Sequence, residues 1–340
     1  MPRNKRATLR EVAEATGLST AAVSYALRGL QVSDETKERV RRAAADLGYE
    51  ANPIARALAG GQTGLVGVLC GSLEDLWQQQ LAAGIGRELL ARDRYALILD
   101  AGSDPKRELA IAHQLRDQRV DGLIVSPVDP SADGWAALAD TVPIVSIGDS
   151  LAAARTAGEV LFDNRAGVTL ALEHLAGLGH RNIAVLTPGR ASTPDRPAEV
   201  HVAAEAQRLG LNVAIVTSGH NLSAATATAR RVLRDQGQPD RGGRPTALFC
   251  LSDSIAYGAY AAAAELGLRI PQDVSVAGYD DHPVSGLLTP GLTTVGWEIG
   301  SIMRAAVRMV VAAIEGKPRR QRVTRPPVLR SRASTSAPPS

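Results

Sequence analysis

The chain has 340 residues, too many for one compact core, and ordinary domain sizes place two or three units in it. Its 45% hydrophobic content is almost all aliphatic, since Phe, Trp and Tyr make up only 3%, a usage that excludes fibrous and disordered classes. No apolar run approaches a membrane span and the basic first ten residues do not read as an export signal, so a cytoplasmic protein with two buried thiols, Cys70 and Cys250, is expected.

The net charge of +3 is unevenly spread. Residues 1–62 hold 10 Lys/Arg against 7 Asp/Glu, residues 63–315 hold 21 against 28, and from residue 316 onward there are seven basic residues and no acidic one. A basic head on an acidic body points to a polyanion as partner of the head alone.

In chain order, Thr8 and Glu11 form a capping box that opens a helix over residues 9–15, and Gly17 ends it. Ser19 is the N-cap of a second helix over residues 20–27, with Ala22, Val23, Ala26 and Leu27 on one side. Ser33 caps a third helix, in which Val40, Ala44 and Leu47 repeat at helical spacing until Gly48. Asn52-Pro53 opens one more helical turn, closed by Gly60-Gly61. Beyond Thr63 the pattern changes. Apolar runs at 64–70, 95–100, 122–126 and 144–147 alternate with amphipathic helices near 81–91 and 108–118. A second set runs from 159–162 through a helix over 165–178 to strands at 183–187, 213–217, 247–251 and 274–278. Two such sets predict two doubly wound lobes with parallel sheets, and the helix over 299–315 is expected to return to the first lobe. Residues 331–340, rich in Ser and Pro, read as a disordered tail.

Ala13, Gly17 and Val23 stand at the spacing a helix-turn-helix needs: a small residue where the helices cross, a turn glycine, and an apolar wedge. The second helix then lies in the major groove with Thr20, Ala21 and Tyr25 toward base edges.

The runs TLREVAEATGLSTAAVSYALRG and VSDETKERVRRAAADLGYEANPIARALAGGQTGLVGVL resemble the head and hinge of LacI/GalR-type regulators. The likeness continues in DNRAGVTLALEHLAGLGHRNIAVL, LSDSIAYGAYAAAAELGLRIPQDVSVAGYDD and LTPGLTTV, and so covers almost the whole chain. It implies an all-α helix-turn-helix head with a hinge helix, joined to an α/β core of two doubly wound parallel-sheet lobes like a periplasmic binding protein. The expected boundaries are 1–51 for the head, 52–62 for the hinge and 63–330 for the core. Within the core, lobe 1 is expected over about 63–158 and 292–330, and lobe 2 over about 159–291.

The same resemblance implies a repressor that binds a palindromic operator as a homodimer or tetramer and responds to a small-molecule effector, sugar or nucleoside-like, between the lobes. The sign of that response stays open. Its DNA-binding residues would be Thr8, Ser19, Thr20, Ala21, Ser24, Tyr25, Arg28, Asn52, Ala55 and Leu58. The hinge would fold on operator DNA, with Leu58 wedged into the central base step of the minor groove. Effector contacts are expected from Trp77, Asp149, Arg196, Asp253, Asp280 and Trp297. Three departures stand out: Ala198 occupies the place of the family's usual Arg, the nearest cation being Arg196, Trp297 replaces a residue that is often polar, and Tyr25 stands where many relatives carry Arg; the first weakens the case for an ordinary sugar and leaves a less polar effector open.

No dinucleotide or Walker loop, HExxH or GxSxG is found, and the six histidines lack metal spacing, so neither an enzyme nor a metal or cofactor is expected. His174 and His180 read as packing or helix-end residues.

Overall fold

The computed structural model describes residues 7–27, 32–49, 62–151, 154–188, 198–219, 221–234, 244–317 and 320–339. They belong to two compact units, Met1–Thr63 and Gly64–Ser340.

The first unit holds α1 (Leu9–Thr16), α2 (Thr20–Leu27) and α3 (Asp34–Asp46). The capping box forms: Glu11 N–H donates to Thr8 Oγ1 at 3.3 Å and Thr8 N–H donates to Glu11 Oε2 at 2.6 Å. Gly17 takes φ 66°, a left-handed conformation that glycine adopts without strain, and turns the chain into α2. Ser19 Oγ accepts from Ala22 N–H at 3.2 Å, and Ser33 Oγ from Thr36 N–H at 3.3 Å. The small core is Val12, Ala13, Val23, Ala26, Val40 and Ala44. Leu47 differs from the expected pattern: it is the C-cap of α3 and is exposed, because the helix ends there.

The second unit begins with β1 (Leu65–Cys70), α4 (Leu76–Leu90), β2 (Tyr95–Asp100), α5 (Pro105–Asp117), β3 (Gly122–Val125), α6 (Gly134–Ala139), β4 (Ile144–Gly148) and β5 (Gly158–Phe162). It continues with α7 (Asn164–Gly177), β6 (Asn182–Thr187), α8 (Ala198–Leu209), β7 (Asn212–Thr217), α9 (Leu222–Arg234), β8 (Ala247–Cys250) and α10 (Asp253–Glu265). Last come β9 (Ser275–Asp280), a 3-10 turn (Pro283–Gly286), β10 (Thr293–Gly296), α11 (Ile299–Ile314), β11 (Gln321–Arg325) and β12 (Val328–Arg330).

Two six-stranded sheets result, in the orders β11-β5-β4-β3-β1-β2 and β12-β10-β9-β8-β6-β7. Every pairing is parallel except β10 with β12. As expected, α11 packs in the first lobe, crossing α4 so closely that a Cβ on Gly84 would meet Met303 Sδ.

The lobes divide differently from the sequence expectation. Residues 158–162 join the first sheet as β5, whereas β10 and β12, assigned to the first lobe, complete the second. The sequence reading opens its second set at residues 159–162, but β5 pairs with β4 inside the first sheet, Val145 opposite Gly158. The chain therefore passes between the lobes three times, near residues 163, 297 and 326. Arg325 carbonyl gathers these passages, accepting from Asp163 N–H at 3.1 Å and from Trp297 Nε1–H at 3.1 Å.

The expected disordered tail is, over residues 331–339, part of the second lobe. Ser334 is fully buried, accepts from Thr293 N–H at 2.8 Å and donates to Val276 carbonyl at 2.6 Å. His180 Nε2 bonds Ser336 carbonyl at 2.9 Å and His174 Nε2 bonds Thr335 Oγ1 at 2.8 Å, so both histidines serve packing. Composition misleads here because Ser and Thr hydroxyls anchor the segment where apolar bulk does not. Both cysteines are buried free thiols, and burial pushes Cys70 up to about 12.

Candidate nucleic-acid interface and ligand cleft

In the first unit, α2 buries Val23 and Ala26 and turns its other side outward. Thr20, Ala21 and Tyr25 are exposed and Ser24 is half-buried, which places all four on one helical face. Exposed Thr8 and Ser19 stand at the N-termini of α1 and α2, where free backbone N–H groups suit phosphate oxygens. Arg28, Asn52, Ala55 and Leu58 lie outside the described residues, and so does Arg196.

In the second unit a cavity of about 790 Å³ opens where strands of both sheets end. Its first-lobe wall includes Ser72 after β1, Asp75 and Trp77 at the start of α4, and Asp129 after β3. Its second-lobe wall includes Asn164 on α7, Thr187 at the end of β6, Glu199 on α8, Ser252 after β8, and Tyr279 and Asp280 at the end of β9. Two expected effector residues, Trp77 and Asp280, are therefore brought together. Asp280 has φ 128° and Asp281 φ 53°, left-handed values that a non-glycine residue holds only under constraint. Burial holds the Asp280 carboxyl well above its usual range, with the charges of Asp75 and Asp253 adding to it, while Asp253 N–H and the Ser252 hydroxyl donate to it.

Three other expected contacts sit elsewhere. Asp253 does not line the cavity. Only 1% exposed, it accepts from Ser285 Oγ at 2.5 Å, Thr294 Oγ1 at 2.6 Å and His282 N–H at 2.8 Å. Burial pushes its carboxyl up to about 6. Its acceptor capacity is thus spent on pinning β10 and the 3-10 turn to the start of α10. Trp297 is buried between Phe162 and Tyr279, ring centroids 5.0 and 4.9 Å away, with its N–H given to Arg325. Asp149, after β4, is not among the residues lining the cavity.

The sequence reading missed Asp75, Asp129, Asn164, Glu199 and Tyr279. Their common signal is position at or just after a strand's C-terminal end, or at a helix start facing it. It missed Glu108 too, a fully buried carboxylate on α5 that accepts from Val128 N–H at 2.7 Å and Asp129 N–H at 3.1 Å, fixing the loop that lines the cleft. Burial raises Glu108 to about 7. Across the cleft, Ser254 on α10 donates to Asp75 Oδ1 and accepts from Leu76 N–H, each at 3.3 Å.

A small-residue-crossed helical head with an outward-facing second helix, followed by two lobes that enclose a polar cleft, has counterparts among known proteins. Residues 8–52 match the bacterial regulatory proteins of the lacI family, and residues 172–335 match the periplasmic binding protein-like domain. The ribose operon repressor of Haemophilus influenzae is 31% identical over 313 residues, covering 91% of this chain and 92% of the relative. The chain belongs to the LacI family. A regulator named MalR from Streptomyces coelicolor is 33% identical, with 91% of each protein covered. Among solved structures, the lac repressor dimer bound to operator and the anti-inducer ONPF superposes with TM-score 0.81 at 28% identity, covering 98% of this chain and all of that one. A complex of the regulator CelR with cellobiose gives TM-score 0.66 at 25% identity, covering 97% of this chain and all of that one. As a LacI-family member the chain is a DNA-binding transcription regulator and not an enzyme. No helix among the described residues is long and apolar enough to cross a membrane.

Proposed function

We propose that this LacI-family protein represses transcription in the cytoplasm by binding a palindromic operator as a dimer, and that a small polyhydroxylated effector in the interlobe cleft changes its grip. The observation that carries the reading is the outward face of α2, with Thr20, Ala21 and Tyr25 exposed and Ser24 half-buried, above the buried Val23 and Ala26. A short helix with such a face fits the major groove, where its side chains meet base edges, while Thr8, Ser19 and Arg28 hold phosphates. Asn52, Ala55 and Leu58 are assigned to the minor groove between the two half-sites. The lac repressor relative, bound to operator as a dimer, supports the assembly, and the cellobiose complex of CelR supports a sugar-like ligand.

The cleft and the operator are linked thermodynamically. An effector that favours one lobe spacing shifts operator affinity by its differential affinity for the two states, typically about 1–3 kcal/mol. Trp77 and Asp280 are the effector contacts retained from the sequence reading, with Asp75, Asn164 and Glu199 added. Selecting duplexes from a random pool with the purified full chain tests the reading: an inverted repeat should be enriched at moderate salt. Recovery of no common half-site would overturn it.

A further inference from the structure

Two carboxylates that line the cleft are set in the same way, one in each lobe. In the second lobe Thr187 Oγ1, at the end of β6, donates to Glu199 Oε2 at 2.7 Å, and among the described residues Thr187 is the only polar partner of the Glu199 side chain. Glu199 lies in the first turn of α8, where free backbone N–H groups stabilise negative charge, so a carboxylate is held there with no cation among its described contacts. In the first lobe Ser131 Oγ donates to Asp129 Oδ1 at 2.6 Å, and Ser131 N–H donates to the same oxygen at 2.9 Å. The main chain of Asp129 is pinned from behind: its N–H donates to Glu108 Oε2 at 3.1 Å and its carbonyl accepts from Trp135 Nε1 at 2.9 Å. Each carboxylate thus commits one oxygen to a neighbouring hydroxyl, which fixes its direction. Among the described residues neither has a donor on its second oxygen.

A carboxylate oxygen held in this manner is an acceptor only, and the ligand group that matches it is a donor. A hydroxyl supplies one, and its hydrogen bond to the charged acceptor is stronger than a neutral pair. A phosphate or carboxylate on the ligand supplies acceptors and negative charge, both of the wrong kind. The donors on the wall are neutral. Gln78 on α4 gives its amide oxygen to Ser72 N–H at 3.3 Å, which leaves its NH₂ group for a ligand oxygen, and none of the described residues lining the cavity is a lysine, arginine or histidine. Charged acceptors with neutral donors complement a group that donates and accepts in equal measure, which describes a hydroxyl and not an anion.

We propose that Glu199 determines effector specificity: its Oε1 accepts a hydroxyl proton from an uncharged polyol, and its charge turns away the phosphorylated or acidic form of the same compound. Thr187 is the positioning residue that aims it, and Asp129 repeats the arrangement in the first lobe. The inference rests on the cleft being the effector site, as proposed above, and adds which chemical form is accepted there. A cavity of about 790 Å³ has room for a mono- or disaccharide.

The test is titration calorimetry on the full chain with matched pairs: ribose and ribose 5-phosphate, glucose and glucose 6-phosphate, trehalose and trehalose 6-phosphate, galactose and galacturonate. The expected result is that the neutral member of at least one pair binds roughly tenfold or more tighter than its charged counterpart. Glu199→Gln keeps the length and an acceptor for Thr187 but removes the charge, so the neutral sugar should bind several-fold weaker and the ratio between the two members should narrow. Thr187→Val leaves the charge and removes the aim, so the neutral sugar should weaken while its anion stays rejected. Loss of packing alone lowers both members together and leaves their ratio unchanged. Melting curves report folding, and Glu199→Ala serves as a second variant. A charged member binding as tightly as its neutral partner, no member of any pair binding, or a ratio unchanged in both Glu199→Gln and Glu199→Ala would each overturn the proposal. Asp280→Asn separates that failure from failure of the cleft: a sugar weakened by Asp280→Asn but indifferent to Glu199 still sits between the lobes, whereas one indifferent to both binds elsewhere. The duplex selection above reports on DNA reading independently.

Discussion

Replacing Asp253 with Ala separates a structural carboxylate from a ligand contact. The substitution leaves three buried donors, His282 N–H, Ser285 Oγ and Thr294 Oγ1, without their shared acceptor. The two hydroxyls have second partners, Tyr257 OH at 2.9 Å and Val295 carbonyl at 3.3 Å, so the peptide N–H bears most of the loss. Unsatisfied buried donors cost about 1–3 kcal/mol each, which sums here to about 3 kcal/mol once the hydroxyls relax. An offset acts in the other direction. A carboxyl raised from 3.8 to about 6 is more stable protonated in the fold than in the open chain, so its contribution is fully present below pH 3.8 and lost as pH rises through about 6. Once it is ionised, that loss is of order 3 kcal/mol, and deleting the group returns part of it. The variant should therefore melt roughly 5–10 °C below the parent at pH 5, with a smaller gap at pH 8. Calorimetric melts at the two pH values measure this. Parent-like melting at both, together with loss of effector binding, would refute the argument and return Asp253 to the ligand site.

Leu58→Gly should abolish preference for the operator over random duplex while leaving effector binding unchanged, as gel shift and calorimetry on the same preparation would show. Thr20→Ala, at the start of the outward face of α2, should cost about 1–3 kcal/mol of operator affinity at a single base position, measured against a panel of substituted duplexes. Glu108→Gln addresses pH dependence. Because burial raises Glu108 to about 7, its contribution to stability is present below pH 4.5 and lost as pH rises through about 7, so parent stability should decline across that window. Gln should remove that decline in urea unfolding at pH 5 and 8, and a parent curve that is flat between those values would contradict the assignment.

The head was legible because its determinants are local. Thr8 with Glu11, Gly17 and the apolar spacing of Ala13 and Val23 act within a few residues of one another, and each took the expected conformation. Among the described residues nine of the twelve strands were equally legible, since a buried parallel sheet demands unbroken apolar runs, whereas β10, β11 and β12 were not read: β10 is a four-residue run rich in Thr, and β11 and β12 are edge strands of alternating exposure. What escaped was the assignment of strands to sheets, because β5 and β12 are recruited by backbone pairing that leaves no mark on composition. The cleft was half legible for the same reason. Asp253 and Asp280 both follow strands in acidic motifs, yet Asp253 meets donors from residues 282, 285 and 294, and only the folded chain shows that its acceptors are spent. The 331–339 segment was misread because its order depends on hydroxyl contacts to β9 and β10, which are distant in sequence.

Trp297 illustrates how a residue expected in the cleft acts from behind it. Its N–H and the Asp163 N–H converge on Arg325 carbonyl, so the three passages between the lobes share one acceptor. Lobe rotation must be absorbed in those passages, since the sheets on either side are continuously paired. A rotation that moves them independently breaks a bond at Arg325, and one that moves them together does not. The expectation is that this node favours some lobe spacings over others without touching a ligand. Trp297→Phe keeps the ring contacts with Phe162 and Tyr279 and removes the donor, a loss of about 0.5–1.5 kcal/mol that falls unequally on the two spacings. The ratio of operator affinities without and with saturating effector should then change several-fold, while effector affinity of the free protein moves less. Fluorescence anisotropy on a labelled operator measures the ratio. An unaltered ratio alongside a lowered melting temperature would mean that the indole N–H supports the fold equally in both spacings, and the node would have no part in the coupling.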